Sequence, residues 1–444
     1  MEKLSRKNRG LMGITLFSMF FGAANLIFPP FLGAQAGKDT LFAMIGFGLS
    51  AIGLPILGII AVTKSGGLYA LTSRVHRNFS MIYILILYLT VGPFLAIPRT
   101  ASTSFSMAVV PFVSEVKGSY QLVYSILFFG IAMCVALKPE KLTEYLGKKL
   151  TPCLLILIFV IFLGCVLHPT KGMGEAVGVY EGKAALQGFF DGYQTLDTLA
   201  ALNFGMIIAM NIRAKGIKTE KAVVKETIYA GWVAGVVLVF VYGMLAYIGA
   251  LSSQQFAGAA DGTQTLIVMT QYLFGKVGII LLAFIFIIAC FNTCVGLLSC
   301  CGKYFNEIMP KISYRNWVFL FAFVSMLISN VGLQNILKFS APILNSLYPM
   351  AIVLIILAYA HPFIKKYKAI YPWMVGFSTV SSLIELLAHY EIKIPVLTTI
   401  VEKIPGYELG FGWVLPALLG FVIGICVSFT HIDNNEYQEK SIES

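Results

Sequence analysis

Twelve stretches of this chain are each apolar for about the length that crosses a lipid bilayer, and that repetition leaves little choice of fold. They lie at 10–33, 41–62, 80–110, 119–137, 150–167, 190–211, 227–249, 276–302, 316–332, 339–360, 369–388 and 410–430. About 20 apolar residues in a helix span a hydrocarbon core of roughly 30 Å, and in lipid only helices and closed barrels satisfy their own backbone groups. An all-α polytopic membrane protein is expected. The 444 residues are 58% hydrophobic and only 12% charged, and the mean hydropathy of +0.83 lies far outside the soluble range. The first segment follows Lys3, Arg6, Lys7 and Arg9 as a secretory signal would, but it is too long and has too many successors, so it reads as a retained span.

Basic residues set the orientation. Lys3, Arg6, Lys7 and Arg9 fall on one side with Lys64, Arg74, Arg77, Lys138, Lys141, Lys148 and Lys149. The same side carries Arg213, Lys215, Lys218, Lys221 and Lys225, then Lys303, Lys311 and Arg315, then Lys365, Lys366 and Lys368. The other side has Lys38, Lys117, Lys171, Lys183, Lys338, Lys393 and Lys403, with Lys276 at a boundary. By the positive-inside rule both termini are cytoplasmic. The net charge of +11 then belongs to loops facing anionic lipid, and no basic stripe with aromatic platforms points to nucleic acid.

The eight cysteines lie within or at the ends of spans, which argues against a disulfide framework or a zinc cluster. All five histidines sit in loops or at segment ends, so a membrane enzyme has no embedded nucleophile and histidine pair to use.

Two segments are built to break. "FSMFFGAANLIFPPFLGAQAG", Phe17 to Gly37, has Gly-Ala-Ala-Asn at its middle and Pro-Pro soon after, and the sixth segment, "FFDGYQTLDTLAALNFGMIIAMN", has a polar, glycine-bearing interruption. Five spans separate them in register, so the breaks enter the membrane from opposite sides, as in an inverted repeat whose paired discontinuous helices mark a midplane site. The chain therefore reads as one transporter domain over 1–444: a first repeat at 10–167, an inverted second at 190–360, two further helices at 369–430 and a cytoplasmic tail at 431–444. The long outer loops, His168 to Gly188 and Ser252 to Thr265, look like no folded domain, and the polar tail reads as disordered.

A helix unwound in lipid frees carbonyls and amides that need partners, and a bound ion or ligand supplies them. Carbonyls from Ser18 to Phe21 can coordinate a cation, Asn25 can add a neutral oxygen, and the amides opening the second half-helix can hold a carboxylate. Taken alone, this stretch also fits a glycine packing contact with a proline kink. Gly192, Tyr193, Gln194, Thr195 and Asp197 cluster in the outer half of the sixth segment, and an embedded carboxylate points to function. A structural pair with Arg99, the basic residue deep in the third span that Pro93 and Pro98 loosen, is the alternative. In the eighth segment Asn292 and Thr293 place two oxygens a turn beyond the Ala289 carbonyl, a set suited to a hard cation; alone, they fit interhelical hydrogen bonds as well. Glu385, the remaining embedded acid in this reading, suits an oligomer contact or snorkelling.

"FGAANLIFPPFLG", "GPFLAIPRTASTSF", "GYQTLDTLAAL" and "SNVGLQNILKFSAPILNSLYP" together resemble the branched-chain amino acid:cation symporters, the LIVCS or BrnQ-type carriers of bacteria. The resemblance covers nearly the whole chain. It implies sodium-coupled uptake of leucine, isoleucine and valine across the inner membrane, with Na+ as coupling ion and no other cofactor. It also implies a LeuT-like fold of five plus five helices with two added. The sodium site would use Ser18 and Phe21 with Ala289, Asn292 and Thr293, and the substrate would meet Gly22, Ala23, Ala24 and Asn25 with Gly192, Tyr193, Gln194 and Thr195. Two positions depart from the family pattern: Ser106 stands where an acid is frequent, and Asn292 where a hydrophobic or hydroxyl residue is.

Phe20, Phe21, Leu26, Phe94, Tyr193 and Leu196 flank the breaks and the third helix, so the pocket for the cargo's side chain is expected to be apolar. A proton-coupled amino acid permease, with Asp197 titrating in place of sodium binding, is the nearest alternative. An ion channel is the next, against which two unlike breaks in inverted halves argue.

Overall fold

The computed structural model describes residues 3–137, 151–168, 171–256, 258–259, 261–392, 394 and 397–442. Lys138, Lys141, Lys148, Lys149 and Lys393 of the charge pattern lie outside them. Regular structure among the described residues is helical throughout. The first half comprises α1 (Arg6–Phe20), α2 (Ala23–Ala36), α3 (Thr40–Gly48), α4 (Leu54–Ser65), α5 (Leu68–Thr72), α6 (Arg77–Leu89), α7 (Ala96–Ala108), α8 (Gly118–Ala136) and α9 (Thr151–Leu167). Then follow α10 (Ala184–Tyr193), α11 (Asp197–Ala214), α12 (Glu220–Ser252), α13 (Gly262–Ile308), α14 (Tyr314–Ser329), α15 (Leu333–Ile364), α16 (Ile370–His389), α17 (Leu397–Glu402) and α18 (Val414–Ile442).

Helix stands at every apolar segment marked in the sequence. Among the described residues, seven continuous helical stretches are long and apolar enough to cross a membrane, and the bent pair α10 and α11 makes an eighth. Thr151–Leu167, Tyr314–Ser329 and Val414–Thr430 are shorter apolar helices. Boundaries differ where glycine and proline act. The sequence starts the eighth segment at 276, whereas α13 begins at Gly262, capped by the Asp261 carboxylate, and turns at Gly275, whose φ of 56° suits glycine. The polar tail read as disordered continues α18 as helix to Ile442.

The described residues divide into two compact units. The first is Met1–Ile56, Ile86–Ala201 and Ile207–Ser340, and the second is Leu57–Leu85, Leu202–Met206 and Ala341–Ser444. In the first unit helices meet backbone to backbone: a Cβ at Gly33 would overlap the Ala246 carbonyl and one at Gly249 the Pro30 carbonyl, so α2 crosses α12 on two glycines. In the second, α16 packs on α18 in the same way, with Gly420 on the Trp373 carbonyl and Gly424 on Ile370. Trp232, Phe240, Phe284 and Phe319 are exposed, as lipid-facing side chains are.

Counting loop charges hides one residue's role. Arg9 donates from Nε to Glu226 Oε2 at 2.7 Å and from its second nitrogen to Oε1, and lies 4.9 Å from the centre of the Tyr229 ring. The Glu226 side chain is 1% exposed, and both its oxygens are engaged, so this pair joins α1 to α12. Arg9→Gln should lower the thermal midpoint of the purified protein, because it strands a buried carboxylate. Adding Glu226→Gln should recover much of the loss; purely additive losses would show that the two residues do not act together.

Candidate substrate and ion site

The first break is short. α1 runs through Phe20, Phe21 is extended (φ −73°, ψ 98°), and Gly22 (φ −128°, ψ −162°) precedes the first turn of α2. In an unbroken helix the Gly22 amide would donate to the Ser18 carbonyl; here it donates to Asn25 Oδ1 at 3.1 Å. Ser18 itself lies in α1, and Ala23, Ala24 and Asn25 lie in α2. Asn25 reads in sequence as an oxygen ligand, but its oxygen serves Gly22, so the amide nitrogen faces away from the break.

That nitrogen reaches the second break. α10 ends at Tyr193, Gln194 and Thr195 follow, Leu196 is left-handed at φ 68°, and α11 starts at Asp197 with a bend of 46° between the two helices. Asn25 Nδ2 donates to Asp197 Oδ2 at 2.6 Å, and the Tyr242 hydroxyl of α12 donates to the same oxygen at 3.3 Å. Asn25 Nδ2 also donates to the Tyr242 oxygen. A carboxylate at the opening of a helix is favoured by the amide dipoles there, and Asp197 is 3% exposed. Two breaks that lie 172 residues apart in sequence are thus joined by one amide–carboxylate bond.

Arg99, on α7, donates to the Gln194 carbonyl at 2.9 Å. Arg99 thus supports the unwound backbone of the second break, and neutral donors from Asn25 and Tyr242 meet the carboxylate. The loosened third span is visible as a π-helical turn over Thr90–Phe94, with Gly92 out of helical geometry. Within the second break the Thr195 hydroxyl donates to the Gly192 carbonyl at 2.8 Å.

The eighth segment comes to the first break. A Cβ at Gly22 would overlap the Thr293 hydroxyl, so that side chain rests on the unwound glycine, and it donates to the Ala289 carbonyl at 3.2 Å. Asn292 is 3% exposed, and its Oδ1 has no hydrogen-bond partner among the described residues. The Ser18 hydroxyl accepts from Thr151 Oγ1 at 2.9 Å. Of the expected apolar pocket residues, Phe20, Phe21, Leu26, Tyr193 and Leu196 are buried, whereas Phe94 is 48% exposed. Leu26 lines a small apolar cavity together with Ile158, Ile161, Leu245 and Ile285.

Sequence reasoning missed Tyr242, whose signal is a tyrosine well inside an apolar span rather than at its interfacial end. It also passed over Asp191, a second acid of the sixth segment, which accepts from Tyr180 and, at 2.9 Å, from Gln187.

Residues 5–431 match the family model described as branched-chain amino acid transport protein. The chain belongs to that family. Among its curated relatives it is 36% identical over 426 residues to the branched-chain amino acid permease BraB of Bacillus subtilis (strain 168), covering 95% of this chain and 96% of that protein. It is 37% identical over 431 residues to the permease BrnQ of the same organism, covering 96% and 98%. The branched-chain amino acid transport system 2 carrier protein of Pseudomonas aeruginosa is 34% identical over 416 residues, covering 93% and 94%. Family members thus include permeases and carriers, and this chain is read as a transporter rather than an enzyme. Its fold is similar to a nucleobase-cation-symport-1 family transporter in a closed conformation (TM-score 0.61, 13% identity, 96% of this chain and 93% of the other). It is likewise similar to a Na+-coupled sialic acid symporter (TM-score 0.57, 11% identity, 94% and 89%).

Proposed function

We propose that this member of the branched-chain amino acid transport family imports leucine, isoleucine and valine by sodium symport through alternating access. In this reading it spans a bacterial inner membrane twelve times, with both termini cytoplasmic and spans one to five inverted in spans six to ten. The bond from Asn25 to Asp197 carries the proposal, because it joins two broken half-helices where a zwitterion needs donors, acceptors and an opposing charge together. Backbone groups of Gly22 to Asn25 and of Gly192 to Thr195 would hold the amino and carboxyl groups. Phe21, Tyr193 and Leu196, all buried, would offer the side chain an apolar wall. At about 0.8 kcal/mol per buried methylene, leucine should outbind alanine by roughly 2 kcal/mol. Pockets of this kind separate neighbours that differ by one methylene by only about 1–3 kcal/mol, so one carrier should accept all three substrates.

Sodium is favoured by oxygen chemistry at the first break. Thr293 rests on Gly22, and the buried Asn292 oxygen has no partner among the described residues; neutral oxygens suit a hard monovalent cation. Proton coupling at Asp197 is the second reading, supported by the burial of that carboxylate. Uptake of labelled leucine into proteoliposomes under an imposed sodium gradient decides between them. Isoleucine and valine should compete while lysine and glutamate should not, and Thr293→Ala should raise the sodium concentration for half-maximal uptake. Inward movement of one charge gains about 2.3 kcal/mol per 100 mV, enough for roughly fifty-fold accumulation. Undiminished uptake with choline replacing sodium at fixed pH would reject sodium coupling in favour of the proton.

A further inference from the structure

The second span carries a feature that the proposed transport cycle does not use. Between α3 and α4 the chain winds as a π-helical turn over Leu49–Gly53, and the Leu54 amide donates five residues back, to the Leu49 carbonyl. The sequence gives a cause: residue 55 is proline, which has no N–H to donate and crowds the preceding turn. The Ser50 carbonyl is then served neither by the amide four residues on, which is taken by Leu49, nor by the position five residues on, which has none. A buried carbonyl in a membrane span needs a partner from elsewhere. It receives one from Thr198, whose hydroxyl donates to the Ser50 oxygen at 3.3 Å. Ser50 and Thr198 are both 0% exposed.

The same turn touches the other side of the second break. A Cβ at Gly192 would overlap Ser50 Oγ and stand 3.1 Å from the Ala51 amide nitrogen. Below that point α10 lies along α3 on glycines, with Gly188 against the Ala43 carbonyl and Gly46 against the Ala185 carbonyl. Ser50 therefore holds the chain just before the unwound residues and just after them.

We propose that the Pro55-driven π turn is a clamp that fixes the second break, and that Thr198 is a positioning residue for substrate recognition by Gly192 to Thr195. In this role the Thr198 hydroxyl serves the Ser50 carbonyl and not the substrate. It acts by holding the start of α11, and with it the spacing between the two half-helices. The leucine arm of the test rests on the transport reading above; the exchange arm does not. In proteoliposomes Thr198→Val, which keeps the shape and removes the donor, should raise the half-saturating leucine concentration about 2- to 10-fold while leaving the maximal rate within about twofold. Thr198→Ser should restore it. Pro55→Ala supplies a competing amide for the Ser50 carbonyl and should shift half-saturation in the same direction as Thr198→Val. Hydrogen–deuterium exchange on the full-length protein should show faster exchange across 192–201 in Thr198→Val and native exchange in Thr198→Ser. Unchanged exchange in Thr198→Val, or a serine variant that exchanges like valine, overturns the clamp. Faster exchange with native half-saturation overturns the positioning role. Absence of leucine uptake by the unmutated protein counts against the transport reading, and exchange still decides the clamp.

Discussion

Asp197→Leu should uncouple the two breaks and abolish uptake. The change removes an oxygen on which the Asn25 amide and the Tyr242 hydroxyl both converge, and each buried hydrogen bond lost in this way costs about 1–3 kcal/mol. The two bonds together, about 2–6 kcal/mol, are a large fraction of the roughly 5–15 kcal/mol that stabilises a domain. Asp197→Asn separates architecture from charge, since an amide oxygen can still accept from Asn25. Its thermal midpoint should stay near the native one while uptake falls at least a hundredfold. Native uptake in the asparagine variant would mean that the negative charge has no part in transport. A leucine variant as stable as the asparagine one would mean that the convergent hydrogen bonds contribute nothing to the fold.

The second large effect concerns helix crossing. Gly249→Leu drives a side chain into the Pro30 carbonyl. Overpacking ordinarily costs about 1–3 kcal/mol, and more is expected when the obstacle is backbone that no rotamer can move. The protein should fail to appear as a monodisperse peak on size-exclusion chromatography in detergent. Gly243→Leu is the control on the same helix: a Cβ there meets nothing within 4 Å and the residue is exposed. It should be tolerated, or gain up to about 1 kcal/mol in helix propensity. If both variants behave alike, α2 and α12 do not depend on close approach at Gly249.

These outcomes bear on how far a sequence discloses its own site. Segment lengths and the Gly-Ala-Ala-Asn and Gly-Tyr-Gln-Thr interruptions are local signals, and helices stop at Phe20 and Tyr193 as those signals require. Even the expected start at 276 coincides with the turn at Gly275. Partners are not local. Glu226 lies 217 residues from Arg9 and Tyr242 lies 217 from Asn25, and nothing in either neighbourhood says which distant span will face it. The direction of the Asn25 amide was hidden for a related reason, since it depends on where the Gly22 N–H points once the helix stops. The π turn was within reach: a proline at position 55 in mid-span predicts an orphaned carbonyl, though not that Thr198 would meet it.

The hydrogen bonds at Asp197 make its two oxygens chemically unequal. Because Asn25 gives its oxygen to Gly22, only its nitrogen can face the carboxylate, and because Tyr242 accepts from that nitrogen, its own proton is free to point at Asp197. Both donors arrive at Oδ2. That oxygen's lone pairs are already committed to neutral donors, so the acid has a front and a back. Any group that is to share Oδ2 must first displace the Asn25 amide or the Tyr242 hydroxyl.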